Sequence, residues 1–159
     1  MRNYYVEINQ YLQRLIKNIL IYDREGIDIE GCSLSILELL IIDFLGNEGQ
    51  KKMYEVIEIL NIDRNSLVTI INNLQQKKYI TKTKSLKDKR VQILELTQEG
   101  NRIYEKITYR NKELLFSLLN DFSFNEEKAI LKFLVKLDML SKERVANTLK
   151  LHIDSTKNL

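Results

Sequence analysis

Apolar residues recur at spacings of three and four over residues 3–24. Tyr5, Ile8, Leu12, Leu15, Ile16 and Ile19 share one face, and Arg14, Lys17 and Asn18 occupy another. This period predicts an amphipathic helix. The stretch from Gly26 to Cys32 interrupts it and, with Gly31 inside, reads as a turn-rich connection. Ser35 and Glu38 then form the S-x-x-E pattern of a capping box, which satisfies free amides at a helix start and predicts a helix over 36–46. A loop over 46–51 leads to a short helix at 53–60, with Val56, Ile57 and Leu60 facing inward. After the tight break Asn61-Ile62-Asp63, Asp63 is placed to cap a helix over 64–77. Leu67, Ile70, Ile71 and Leu74 make that helix's apolar stripe and leave Arg64, Asn65, Ser66, Thr69, Asn72 and Asn73 largely outside it. Two short helices joined by such a turn are a helix-turn-helix.

The period then changes to two. Residues 79–84 and 90–96 alternate and are rich in β-branched side chains, and the polar, basic segment 85–89 separates them. They predict a β-hairpin, a wing, directly behind the second helix of the motif. Thr97 caps a helix over about 98–120 carrying Ile103, Ile107, Leu114 and Leu118. A second S-x-x-E pair, Ser123 and Glu126, opens a helix over about 125–149 that is expected to break near Ser141. The stripe of this last helix includes Ile130, Phe133, Leu134, Leu137 and Leu140. The fold class is mainly α with a small β-hairpin wing, in three parts. Residues 1–32 form a helix and connection, 33–97 a winged helix-turn-helix domain, and 98–159 the terminal helices.

Composition narrows the class of molecule. With 44% hydrophobic and 30% charged residues, the chain of 159 residues is globular, not disordered. Its N-terminus lacks the apolar core of a signal peptide, and no apolar run is long enough to span a bilayer, so a cytoplasmic protein without a membrane partner is expected. The single cysteine, Cys32, excludes an intrachain disulfide and fits a reducing compartment. The single histidine, His152, near the C-terminus, leaves no basis for a histidine triad or zinc cluster, and there is no glycine-rich phosphate loop. No enzyme activity, cofactor or metal is expected.

Charge distribution adds a further feature. Between Asn61 and Ile93 stand Arg64, Lys77, Lys78, Lys82, Lys84, Lys87, Lys89 and Arg90 against only Asp63 and Asp88, while the whole chain carries just +3. A local cationic field on an otherwise acidic chain suits a polyanion such as DNA. A solvated charge run on a surface hairpin is the bland alternative.

At this point residues 34–107 resemble the MarR family of winged-helix regulators (multiple-antibiotic-resistance-type repressors). The resemblance is carried by Leu34-Ser35, by Leu60-Asn61-Ile62-Asp63 and by Leu74-Gln75-Gln76-Lys77-Lys78-Tyr79-Ile80. It is most specific at Asp88-Lys89-Arg90 and Leu96-Thr97-Gln98-Glu99-Gly100. The chain departs from the pattern at Lys78, where the family usually has glycine, at Lys52, where a hydroxyl residue commonly caps the next helix, and at Ile57, where a small residue is frequent. The resemblance implies a transcriptional repressor that binds double-stranded DNA at a palindromic operator as a homodimer. In a helix-turn-helix the first residues of the second helix reach base edges. Arg64, Asn65 and Ser66, with Val68, Thr69 and Asn72 one turn on, are therefore the candidates for direct readout. By resemblance, Arg90 enters the minor groove, and Asp88 orients it or braces the wing by an ion pair. Lys82, Lys84, Lys87 and Lys89 are candidates for phosphate contact. The terminal helices, with more apolar positions than one small domain can bury, are the expected dimer interface. Some family members bind small aromatic effectors; Tyr11, Arg14, Tyr22 and Phe44 are available, but core packing accounts for them equally well. Cys32 falls after the first helix, where an incidental cysteine is the simpler reading. The competing class is a winged-helix module for protein–protein contact without DNA readout.

Overall fold

The computed structural model describes residues 4–29 and 31–156, with residues 143–156 as backbone only. The side chain of His152 thus lies outside the described residues. Helix α1 (Tyr4–Glu25) is followed by a hairpin of β1 (Ile27–Ile29) and β2 (Cys32–Leu34), then α2 (Ile36–Glu48), β3 (Lys51–Lys52), α3 (Met53–Leu60) and α4 (Arg64–Gln76). The wing strands β4 (Ile80–Lys84) and β5 (Gln92–Leu96) precede the helices α5 (Gln98–Leu119) and α6 (Phe124–Thr156). The chain divides within α5 into two compact units, one ending at Lys112 and one beginning at Glu113.

Local chemistry sets most of these boundaries. At Ser35 the capping box is complete: its hydroxyl accepts the Glu38 N–H at 3.2 Å, and the Glu38 carboxylate accepts the Ser35 N–H at 2.9 Å. Lys52 has no side-chain acceptor, so α3 keeps only the reciprocal half, in which Glu55 accepts the Lys52 N–H at 2.6 Å. Thr97 caps α5 by accepting the Gly100 N–H at 2.9 Å. At Ser123 the hydroxyl donates to Glu126, which also accepts the Ser123 N–H, so that pair too is half a box. The Ser123 hydroxyl and then its backbone amide hold the Glu126 carboxyl below the ordinary range.

Three expectations need correction. The connection after α1 contains a short hairpin, with Ile27 paired to Leu34 and Ile29 to Cys32. Asp28 accepts the Gly31 N–H at 3.0 Å, and Gly31 supplies the positive φ of 85°. Helix α6 runs unbroken through Ser141, whose hydroxyl bonds back to the Leu137 carbonyl at 2.9 Å and spares the backbone ladder. The second wing strand begins at Gln92, so Arg90 and Val91 belong to the wing turn.

The core of the first unit is made by Leu34, Ile41, Ile42, Val56, Leu67, Ile71, Leu74 and Leu94, all fully buried, so α2, α3 and α4 close on the sheet. That sheet has the order β3-β5-β4; Lys51 faces Leu94, and Ile80 faces Leu96. By contrast α1 buries no residue, although it carries a full apolar stripe. Ile16 and Tyr5 remain 58% and 81% exposed. In the second unit Leu118, Phe124, Leu134 and Leu140 are likewise exposed.

Lys78, at the family's glycine position, adopts φ 63°, the left-handed conformation that glycine takes without a Cβ penalty. Its N–H donates to the Gln75 carbonyl and the next N–H, of Tyr79, to Leu74, closing the end of α4. Lys78→Gly is expected to raise stability by about 0.5–1 kcal/mol. The reading is a higher urea midpoint at unchanged slope. A lower midpoint would contradict the assignment of strain to Lys78.

Candidate nucleic-acid interface

Helix α4 is held at both ends. At its start Asp63 Oδ1 accepts the N–H groups of Asn65 and Ser66, each at 3.0 Å, and the Ser66 hydroxyl donates to Asp63 Oδ2. The Ser66 hydroxyl, then its amide, hold the Asp63 carboxyl below the usual range. Asn61, in the left-handed region at φ 49°, makes the turn from α3. At the other end Lys77 Nζ donates to both carboxylate oxygens of the buried Glu38, at 3.0 and 2.9 Å, and to the Ser33 carbonyl at 2.8 Å. The Tyr79 hydroxyl donates to Cys32 Sγ at 3.0 Å. Burial, then this bond, push the Tyr79 phenol up to about 12. The β1–β2 hairpin missing from the sequence reading is therefore what anchors the end of α4.

These anchors leave one face of α4 open. Arg64, Asn65, Ser66, Thr69 and Asn72 are exposed, whereas Val68 is partly buried against the core. Ser66 spends its hydroxyl on the cap, and Thr69 donates to the Asn65 carbonyl at 3.1 Å. Arg64, Asn65 and Asn72 thus carry the freest polar groups of the set.

The wing turn is equally fixed. Ser85 N–H donates to the Val91 carbonyl and Val91 N–H to the Asp88 carbonyl, both at 2.9 Å. Asp88 Oδ1 accepts the Arg90 N–H at 2.9 Å, so Asp88 meets Arg90 through the main chain; orientation of the arginine or an ion pair had been the expectation. Lys84, Lys87, Lys89 and Arg90 are exposed and Lys82 is half-buried. Of the eight cations in the basic segment, Lys77 is paired with a buried carboxylate, that of Glu38.

Arg64, from the start of α4, and Arg90, from the wing, line the same groove of about 250 Å³, with Met53, Tyr54, Ile57, Val91 and Gln92. Tyr54 and Gln92 were not among the sequence candidates. Tyr54, 48% exposed, accepts a hydrogen bond from Lys52 Nζ at 3.1 Å, a bond that raises the Lys52 ammonium's pKa.

Among the described residues no group of three or more His, Cys, Asp and Glu is placed to hold a metal, and no helix is long and apolar enough to cross a membrane.

Comparison with known proteins agrees with this geometry. The family described as transcriptional regulator SarA/Rot matches residues 29–107. YpoP of Bacillus subtilis, an uncharacterised HTH-type transcriptional regulator, is 24% identical over 132 residues, 83% of this chain and 92% of YpoP. The repressor MdtR of the same organism is 27% identical over 126 residues, 79% of this chain and 78% of MdtR. Among solved structures, FabT of Streptococcus pneumoniae in complex with DNA superposes with a TM-score of 0.77 at 26% identity, over 87% of this chain and 98% of FabT. YusO of Bacillus subtilis gives 0.63 at 25% identity, over 84% and 94%. With a capped second helix, a braced basic wing and these relatives, the chain has the fold of winged helix-turn-helix transcriptional regulators and is similar to those of the MarR type.

Proposed function

We propose that the protein is a homodimeric repressor that reads a palindromic operator with α4 and grips the flanking DNA with its wing. The observation that carries this reading is the meeting of Arg64 and Arg90, from two separately anchored elements, at one groove amid exposed lysines. Arg64 suits bidentate pairing with guanine, and Asn65 and Asn72 suit adenine; Val68 and the Thr69 methyl suit a thymine methyl. Ser66 serves the helix start first. Arg90 suits the negative potential of a narrow minor groove, and Lys82, Lys84, Lys87 and Lys89 suit phosphates. Asp88 keeps the wing in shape.

Pairing of two copies is supported by the uncovered apolar faces of α1 and, separately, of α5 beyond Glu113 and α6. Faces of this extent are unusual on a monomer. In this reading residues 33–97 bind DNA, and residues 1–32 and 98–159 join the protomers, setting the two α4 helices about 34 Å apart. A small aromatic effector that releases the DNA belongs to the same proposal. The exposed Tyr11 on α1, with the Arg14 guanidinium 4.3 Å from its ring centroid, offers such a molecule both stacking and charge.

Light scattering at micromolar concentration is expected to give twice the chain mass. Competition of the duplex upstream of the protein's own coding region against a scrambled duplex is expected to favour the former. A persistent monomer that binds a palindrome tightly would contradict the assembly. A folded dimer that ignores DNA would point to the protein–protein module.

A further inference from the structure

At the wing tip stands the most exposed large hydrophobic side chain among the described residues: Leu86, at 101% of its reference accessibility. It is not on a loose loop. Four hydrogen bonds close the turn around it: Ser85 N–H to Val91, Lys87 N–H to Ser85 Oγ at 3.3 Å, Val91 N–H to Asp88, and Arg90 N–H to the Asp88 side chain. The side chain is therefore presented to solvent by a fixed backbone, and little ordering remains for a partner to impose.

The surroundings name the partner's chemistry. Lys84, Lys87, Lys89 and Arg90 flank the leucine and are all exposed, so the partner is anionic outside and apolar where the tip enters. Duplex DNA has this arrangement in its minor groove, between two phosphate rows, where apolar side chains wedge against base steps and bend the helix. A lipid surface is the less fitting alternative. One leucine offers far less apolar area than an acyl chain, which alone binds membranes only marginally, and its neighbours Ser85 and Asp88 are polar or acidic.

We propose that Leu86 is a minor-groove wedge, seated beside Arg90 against a deformable pyrimidine–purine step, and that it confers on the protein a preference for such steps in the operator flanks. This inference rests on the DNA-binding reading above and adds to it a specificity residue that carries no charge. Pyrimidine–purine steps unstack most easily, so the preference would be read through DNA deformation and not through hydrogen bonds to bases.

The test uses the full-length protein and fluorescently end-labelled duplexes of its upstream region, with the flanking step varied between TA and a stiff A-tract. Leu86→Ala is expected to weaken binding about fivefold to tenfold on the TA duplex, to reduce the bend measured by energy transfer, and to narrow the difference between the two flanks. The slope of log affinity against log salt is expected to stay the same, since no charge is removed. Leu86→Met is expected to restore most of the affinity and the bend. Wild-type affinity and bend in Leu86→Ala would overturn the wedge while leaving the DNA reading intact; a wild-type protein that binds no duplex would remove both. Leu86-dependent sedimentation with phosphatidylserine vesicles would also overturn it and assign the tip to lipid.

Discussion

Gly100→Ala is expected to destabilise the winged unit by about 3 kcal/mol or more, among the largest effects of any single methyl added to this chain. A Cβ at Gly100 would stand 2.0 Å from the Tyr79 carbonyl oxygen and 2.9 Å from its carbon. That carbonyl is already committed, accepting the Thr97 N–H at 2.9 Å, while Thr97 Oγ1 donates to the Lys78 carbonyl and accepts from Gly100. The start of α5 is thereby clasped to the root of the wing, main chain against main chain, and neither side is a flexible side chain that can yield. The variant should show a fall in the denaturation midpoint and weaker DNA binding, because the wing loses its seat behind α4. Urea titration followed by circular dichroism reads the first effect. Unchanged stability would mean that the clasp is not as tight as its geometry. The same contact gives the Thr97-Gln98-Glu99-Gly100 motif a physical reason: threonine caps and locks, and glycine permits the approach.

The second large effect separates reading from grip. Arg64→Ala should lose about 1–3 kcal/mol on the preferred site and much less on random DNA, because a base contact goes. Arg90→Ala should weaken binding to all duplexes, flatten the salt dependence and alter preference mainly for A·T-rich flanks. Both side chains are exposed, so both variants should fold as the parent does. Because the two arginines line one groove, their effects are expected to be non-additive in the double variant. Competition titration of each variant against specific and scrambled duplexes provides the measurement. Full specificity in a folded Arg64→Ala protein would remove α4 as the reading helix.

Legibility of the fold followed the range of the interactions. The capping box at Ser35 and Glu38, the Asp63 cap and the Thr97 cap are local, made between residues three or fewer apart, and the sequence displays them openly. The period-two wing and the apolar stripe of α4 were legible for the same reason. The β1–β2 hairpin was not, because three-residue strands are too short for alternation to register. The two-residue β3 exists only by pairing with β5. Lys77 looked like one more cation of the basic segment; its ion pair with Glu38 spans 39 positions, a partnership no local pattern reveals. Ser141 looked like a break because serine competes for backbone groups, yet its hydroxyl found acceptors one turn back within the helix. The grouping of the site was similarly tertiary: Arg64 and Arg90 were each legible from their motifs, but their common groove with Tyr54 required the packing of α3 against β5.

The most direct test of the central claim, that the wing and α4 bind duplex DNA through a built cationic face, is a salt titration of binding to the upstream duplex. Lys84, Lys87 and Lys89 on each of two wings, with Arg90 added, suggest about six to eight phosphate neutralisations per dimer. The expected slope of log affinity against log salt concentration is about −5 to −7, reduced in magnitude in Arg90→Ala. A slope near zero, or one that Arg90→Ala leaves untouched, would contradict the account.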